Sequence, residues 1–255
     1  MKFIESIKQY SIFRPNDIQL NCFSPPVMVA TFIIEIILLI YTFYKFKKSS
    51  AFWVVSALLF FLALFQLSEY FVCGGFGIVA KIWSKIGYVS ISTLPPLGLH
   101  ILQIIRGRRF GALNIAAYAS MAGFCALFLL QDLAFKGHVC TGNYVIFQIR
   151  DSLNLYYGAY YYGWMIITIY IALMAAKTAD KKRAKAMVGL VIGYLVFLVP
   201  TSITIIIHPP ALDGIPSVMC GFAIMFALML PTVILPAYYK SLKTPKKPTR
   251  KPKKN

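Results

Sequence analysis

The chain contains an apolar stretch, residues 51–74, that is long enough to cross a lipid bilayer. About 20 apolar residues in an α-helix span the hydrocarbon core. Towards its end this stretch carries Gln66, Glu69 and Cys73, whose spacing places them on one face of a helix. An acidic residue in a spanning helix is costly and usually faces a bundle interior or a water-filled cavity. The sequence therefore predicts that the other helices gather around this polar face.

The composition favours an integral membrane protein. The chain is 59% hydrophobic and only 13% charged, whereas about a quarter of the residues in a soluble domain are charged. Its formal charge of +18 comes from 26 Lys and Arg against 8 Asp and Glu. Because these basic residues lie in short links and a tail, we expect them to set the topology and to contact anionic lipid rather than nucleic acid.

Seven stretches have the length and apolarity of spanning helices. In chain order they are residues 26–44, 51–74, 82–105, 110–130, 155–176, 187–207 and 218–239. The third contains Pro95 and Pro96, which membrane helices tolerate when neighbouring groups satisfy the freed carbonyls. We therefore predict an all-α fold, an integral membrane bundle of seven transmembrane helices within residues 22–239.

The basic residues also predict an orientation. The links after the first, third and fifth stretches and the tail together hold 19 Lys and Arg, and the opposite side holds 7. An excess of Lys and Arg marks the cytoplasmic side of a membrane. The N-terminus is accordingly predicted outside and the C-terminus in the cytoplasm, for a multi-pass protein of the cell membrane.

Two terminal segments flank the predicted bundle. Residues 1–21 place apolar side chains at helical spacing between charges, which predicts a short helix on the membrane surface. Residues 240–255 are rich in lysine and proline, so the sequence predicts a disordered cytoplasmic tail. The lysines from Lys240 to Lys254 are expected to contact anionic lipid head groups.

Polar residues within the predicted spans are the candidates for a ligand site: Glu69, Gln66, Glu35, His100 and Tyr161. One interpretation is that they line a cavity in which the glutamates bind a cation, a proton or a polar ligand. The alternative is that each glutamate is protonated and hydrogen-bonded to a neighbouring helix as a structural contact. His100 has the same two interpretations.

Aromatic residues cluster at the start of the fifth span: Tyr156, Tyr157, Tyr160, Tyr161, Tyr162 and Trp164. Such a cluster is typical of the aromatic belt at a membrane interface. It can also form an aromatic wall of a ligand site. The sequence leaves both interpretations open.

The predicted topology places all five cysteines in the outer half of the protein: Cys22, Cys73, Cys125, Cys140 and Cys220. If that compartment is oxidising, disulfides can form, and the pairings that we expect are Cys73 with Cys140 or Cys22 with Cys220. Free thiols that pack as small apolar groups are the alternative. The sequence contains no C-x-x-C pair, so no zinc or other metal site is predicted.

Several seven-helix chemistries lack their residues in this sequence. The last span contains no lysine that could carry retinal, and only three histidines are available to ligate haem or zinc. The His-x-x-x-His pattern of ceramidase-like zinc hydrolases is absent, as are G-x-S-x-G and H-E-x-x-H. We therefore assign no catalytic residue and no cofactor from the sequence.

The chain resembles a bacterial family of small seven-helix membrane proteins. Its members have a Cys-Phe-Ser start, Gln-x-x-Glu or His-x-x-Glu late in the second helix, a proline in the third and a cysteine before small residues in the last. The matching positions in this chain are Cys22–Phe23–Ser24, Gln66 and Glu69, Pro95, and Cys220–Gly221. The chain departs from the family in about twenty residues before the Cys-Phe-Ser and in Met219, where relatives have Trp.

No activity is established for that family, so the resemblance implies a fold without a chemistry. It also implies that Cys22, Glu69 and Cys220 meet in one site at the outer face. We predict a protein that binds a small ligand, ion or solute in an outward-opening polar pocket, as a sensor or small carrier. One alternative is an intramembrane enzyme acting on a lipid or lipid-linked substrate, with Glu69 as acid or base and a cysteine as possible nucleophile. The other is a structural or assembly membrane protein.

Overall fold

The computed structural model describes residues 25–47, 49–74, 80–131, 134–140, 145–207 and 214–243. Within these ranges, seven helices are long and apolar enough to cross a membrane. They are α1 (Pro25–Phe46), α2 (Phe52–Gly74), α3 (Ala80–Arg106), α4 (Ala112–Leu130), α5 (Asp151–Ala176), α6 (Lys181–Ile207) and α7 (Ile215–Leu242). The predicted segment 1–21, Cys22 and the tail beyond residue 243 lie outside the described residues.

The helices α2 and α3 form the centre of the bundle. In the most apolar 18-residue windows of α2 and α3, 67% and 78% of the residues are buried. In those of α1 and α4 the share is 17%. α2 packs along both α1 and α3. Its polar face points inward as predicted, because Gln66 is 2% exposed and Glu69 is fully buried.

The proline pair does not interrupt α3, which is continuous from Ala80 to Arg106. Pro96 has no N–H, so the carbonyl of Ser92 loses its partner within the helix. The Tyr160 hydroxyl donates a hydrogen bond to that carbonyl at 2.5 Å. A side chain of α5 thus replaces the missing backbone donor and ties the two helices together.

Five helices begin earlier than their apolar stretches indicate, and the difference is largest for α5 and α6. α6 begins at Lys181, where the sequence predicted residue 187, because Asp180 caps it. The Asp180 carboxylate accepts hydrogen bonds from the N–H groups of Lys182 and Arg183 at 3.2 and 3.1 Å. α5 begins at Asp151, where a negative charge in the first turn favours the helix dipole.

A wide turn divides α7 into two α-helical parts, Ile215–Met229 and Leu235–Leu242. The residues between them, Leu230–Ile234, form a π-helical turn. The N–H of Leu235 donates to the carbonyl of Leu230, one residue further back than in an α-helix. Pro231 and Pro236 lie at this turn and explain it, since neither can donate a backbone hydrogen bond.

A β-hairpin between α4 and α5 is the main departure from the predicted all-α fold. Strand β1 (Phe135–Cys140) pairs antiparallel with β2 (Val145–Ile149). Val145, Phe147 and Ile149 are buried while Gln148 is exposed, which is the alternation of a strand with one buried face. The hairpin packs this apolar face onto one end of the bundle.

Three links fasten the hairpin to the helices. A disulfide joins Cys73 at the end of α2 to Cys140 at the end of β1, one of the two pairings expected from the sequence. The Tyr88 hydroxyl of α3 donates to the Phe147 carbonyl at 3.2 Å. The N–H of Val145 donates to the Ser217 hydroxyl oxygen of α7 at 3.1 Å.

The two ends of the bundle differ in charge. We call the end that carries the hairpin the hairpin end and the opposite one the basic end. The described basic residues of the hairpin end are Lys81, Lys85, Lys136 and Arg150. Those of the basic end are more numerous: Lys45, Lys47, Arg106, Arg108, Arg109, Lys177, Lys181, Lys182, Arg183, Lys185, Lys240 and Lys243.

Candidate functional site

Two buried carboxyl groups face each other between α1 and α2. Glu35 and Glu69 both have no solvent exposure. They lie close enough to interact electrostatically. Within the described part of the chain, none of their four oxygens has a hydrogen-bond partner. The two carboxyls that the sequence predicted as ligand residues are therefore together and unsatisfied.

The start of α7 completes this group with Ser217 and Cys220, one helical turn apart. The Cys220 thiol is free and 2% exposed, and it interacts electrostatically with both carboxyls. Ser217 lies beside Glu69, although its hydroxyl does not reach hydrogen-bond geometry with the carboxyl. We call Glu35, Glu69, Ser217 and Cys220 the acidic cluster.

The acidic cluster carries no compensating charge at hydrogen-bond distance. No described Lys, Arg or His donates to either carboxyl, since all four oxygens lack a donor. Burying a charge without such a partner costs several kcal/mol. Two adjacent carboxyls therefore favour states in which a proton or a cation reduces their negative charge.

The described residues do not form a metal site. No three side chains of His, Cys, Asp or Glu among them converge closely enough to hold a metal ion. The acidic cluster brings two carboxyls and a thiol near one another without that convergence. Its chemistry is therefore that of acceptors for hydrogen bonds or for a single positive charge.

A small cavity adjoins the acidic cluster at Cys220. It has a volume of about 20 Å³, which is room for about one water molecule. Tyr161, Tyr194 and Cys220 are among its lining residues, together with apolar residues such as Met219 and Pro95. Cys220 thus belongs both to the cavity and to the acidic cluster.

A larger groove opens at the hairpin end, between the hairpin and the starts of α5 and α7. It has a volume of about 750 Å³ and shares Tyr161 and Met219 with the small cavity. Its polar lining residues are Lys136, Gln148, Asp151 and Asn154. Lys136 and Asp151 form an ion pair at 2.5 Å. The groove thus shares residues with the cavity, and the cavity shares Cys220 with the acidic cluster.

The tyrosines at the start of α5 have different surroundings. Tyr156 is 68% exposed, as expected for an interfacial belt. Tyr157 and Tyr160 are each 7% exposed and pack with Tyr88 and Phe124 in an aromatic core. Tyr161 lines both the groove and the cavity. Neither sequence interpretation describes the whole cluster.

His100 lies away from the acidic cluster. Its Nδ1 is 3.0 Å from the Tyr118 hydroxyl of α4, and its ring packs edge-on against Phe110. Gly87 of α3 lies against Ser68, the neighbour of Glu69. His100 is thirteen residues further along α3, which corresponds to about 20 Å. Gln66, by contrast, lies one turn from Glu69 on α2 and is buried.

Sequence reasoning missed Ser217 and the polar residues of the hairpin groove, Gln148 and Asn154. Ser217 precedes Cys220 by three residues, a spacing that places both on one helical face. That spacing was the available signal. The groove residues had none, because the hairpin that positions them was not predicted. Cys22, the expected partner of Cys220 in the other possible disulfide, lies outside the described residues.

Comparisons with models of known protein families, with curated proteins and with solved structures find no match to this chain. The resemblance to a seven-helix bacterial family therefore stays a prediction. The acidic cluster, the small cavity and the larger groove are therefore the features that bear on function.

Proposed function

We propose that the chain is a multi-pass protein of the cell membrane, with its hairpin end outside and its basic end in the cytoplasm. Seven apolar helices support insertion into a bilayer. The concentration of Lys and Arg at the basic end supports the orientation. The N-terminus is then outside, and the tail lies in the cytoplasm, where Lys240–Lys254 contact anionic head groups.

Within that protein, the proposed function is the binding of a small ligand, ion or solute in a polar pocket that opens outward, as a sensor or small carrier. The observation that supports this function most directly is the pair Glu35 and Glu69. Their four buried oxygens have no hydrogen-bond partner among the described residues. A buried polar group without a partner costs about 1–3 kcal/mol. A monovalent cation, a proton or a ligand with hydrogen-bond donors supplies the missing partner.

The surface groove provides the entrance. Asp151 and Asn154 line the groove and suit a hydrated or polar solute, and Tyr161 and Met219 line both the groove and the cavity. The cavity has room for about one water molecule, so in this proposal a larger solute stays in the groove and only a proton or small cation goes on to the carboxyls. This arrangement fits a solute site linked to a cation site.

The other two functions receive less support. A cysteine nucleophile is favoured by nearby positive charge, whereas the described charged groups that interact with Cys220 are two carboxyls. Structural glutamates are expected to hydrogen-bond to a neighbouring helix, and no such bond to Glu35 or Glu69 exists in the described residues. Both observations favour a ligand over an enzyme or a scaffold.

Native mass spectrometry with elemental analysis tests the proposal on the full chain, purified in mild detergent. The variants Glu69→Gln and Glu35→Gln each replace a carboxyl by an amide of nearly the same shape. A small molecule or cation that is bound to the parent is expected to be absent from both. The matched control is Ser90→Ala, which removes a buried hydroxyl bonded only to its own helix in the described structure.

The control is expected to retain the bound species. If the parent holds no bound species and both glutamine variants keep its thermal stability, the ligand proposal fails and a structural function is favoured. A species that binds all variants equally while turnover is lost would instead favour the enzyme.

A further inference from the structure

We propose that the basic end carries a specific site for an anionic phospholipid, in a groove between α1 and the end of α7. The groove has a volume of about 730 Å³. Its described lining residues come from the last two turns of α1 and from the end of α7: Leu39, Ile40, Phe43, Tyr44, Lys45, Lys47 and Tyr239. Apolar side chains, aromatic rings and lysines thus share one groove, which none of the residues of the acidic cluster lines.

Lys45 and Lys243, at the α1 and α7 sides of the groove, each lie over an aromatic ring. The Lys45 ammonium donates to the Tyr41 hydroxyl and lies 4.9 Å from the centre of the Tyr41 ring. On the α7 side, the Lys243 ammonium lies 4.7 Å from the centre of the Tyr239 ring. An ammonium has three donors, so the bond to Tyr41 leaves Lys45 able to donate to a phosphate oxygen. The positive charges of Lys45 and Lys243 are therefore positioned before a ligand arrives.

No acidic side chain is among the described residues that line the groove. Of the described acids, Glu35 and Glu69 belong to the acidic cluster, and Asp151 lies at the hairpin end. Asp180 caps α6 and pairs with Arg183 at 3.4 Å. Among the described residues, the lysines of the groove therefore lack a carboxylate partner, and an anionic head group complements them.

The chain's own tail is a poor occupant of this groove. Residues 244–255 contain Lys and Arg but no acidic side chain. Like charges repel, so the tail and the groove compete for the same anionic partner rather than binding each other. An external anion therefore complements the groove better than the tail does.

An apolar stripe on α1 identifies that anion as a lipid rather than free phosphate. Ile33, Ile37 and Ile40 are 49%, 58% and 50% exposed, and their spacing places them on one helical face. Ile40 also lines the groove. The stripe therefore leads from the lysines towards the middle of the helix, where an acyl chain can lie along it while the phosphate stays at Lys45 and Lys47.

Native mass spectrometry of the full chain in mild detergent tests this site, with phosphatidylglycerol and phosphatidylcholine as probes. The parent is expected to bind phosphatidylglycerol at least ten-fold more tightly than phosphatidylcholine. The double variant Lys45→Gln, Lys47→Gln is expected to lose about five-fold in phosphatidylglycerol affinity for each lysine. Its affinity for phosphatidylcholine is expected to stay the same.

The matched control is the double variant Lys181→Gln, Lys185→Gln, which removes two exposed lysines from the same end of the bundle. It is expected to keep the preference of the parent. Equal losses in both double variants would mean that net charge, not the groove, attracts the lipid, and would overturn the proposal. No preference in the parent would overturn it as well.

Glycerol 3-phosphate distinguishes a lipid site from a phosphate site, because it carries the charged group without acyl chains. It is expected to displace phosphatidylglycerol only at concentrations at least a hundred-fold higher. Displacement at equal concentration would overturn the lipid assignment. Melting temperatures of the double variants within a few degrees of the parent show that loss of binding is not loss of fold.

Discussion

Gly193 allows α6 and α7 to pack closely against each other. A Cβ at Gly193 would overlap the ring of Phe226. That ring cannot easily retreat, because it stacks on Tyr194 with centroids 5.3 Å apart and packs against Phe197 at 5.9 Å. Small residues allow helix backbones to approach in this way in membrane proteins. Gly193 therefore supports the wall of the cavity that Tyr194 and Phe226 line.

We predict that Gly193→Ala lowers the stability of the purified protein by about 1–3 kcal/mol, the usual cost of overpacking a core. A lower melting temperature in detergent is the measurement. The control is Gly123→Ala in α4, where a Cβ meets no described atom within 4 Å. That variant is expected to be neutral or more stable by up to about 1 kcal/mol. Equal melting temperatures for both variants would contradict the prediction.

The sequence predicted most residues of the acidic cluster, but not how they are arranged in space. Glu35 and Glu69 are visible in the sequence because a charge within an apolar stretch is rare. Helical periodicity gives the face on which each lies, but it does not say which helices are neighbours. The approach of Cys220 and Ser217 to Glu69 depends on how α7 packs against α1 and α2. Sequence spacing contains no information on that packing.

The proline pair of α3 ties this helix to α5. Pro96 removes the donor that the Ser92 carbonyl would have in a regular helix, and the Tyr160 hydroxyl replaces it at 2.5 Å. The Ser92 hydroxyl also lies 3.1 Å from the Tyr157 hydroxyl. Two tyrosines of α5 thus form hydrogen bonds with Ser92, close to the prolines of α3. These bonds stabilise the packing of α5 against α3.

We predict that Tyr160→Phe costs about 1–3 kcal/mol of stability, because it leaves the buried Ser92 carbonyl without this donor. The control is Tyr156→Phe, which removes a hydroxyl from a side chain that is 68% exposed on the same helix and is expected to change little. In a Pro96→Ala background the restored backbone N–H can bond to Ser92. The cost of Tyr160→Phe is then expected to fall, and an unchanged cost in a double-mutant cycle would contradict this explanation.

The seven long helices could be predicted from the sequence because the apolar length of a spanning segment is a strong signal. Their starts could not, since Asp180 and Asp151 lie outside the apolar windows and act through capping or charge at the helix start. The hairpin was missed for a related reason. Its strand Val145–Ile149 is a short apolar run, which periodicity alone does not distinguish from a helical segment.

The two ends of the molecule differ in charge and in the features that they carry. The hairpin end carries the disulfide between Cys73 and Cys140 and the larger groove, which shares Tyr161 and Met219 with the small cavity. The basic end carries most of the described Lys and Arg and the lysine-lined groove. Disulfides persist in oxidising compartments and Lys and Arg concentrate in the cytoplasm. Both features therefore favour the same orientation, although they depend on different physical effects.

Cysteine labelling of intact cells tests this orientation. Ser152 is exposed at the hairpin end and Thr178 at the basic end, so Ser152→Cys and Thr178→Cys place a thiol at each end. We predict that a membrane-impermeant maleimide labels Ser152→Cys in intact cells and labels Thr178→Cys only after permeabilisation, with the parent chain as background. The reverse pattern would place the groove in the cytoplasm. The acidic cluster would then take its ligand from inside the cell, and the proposal of an outward-opening pocket would fail.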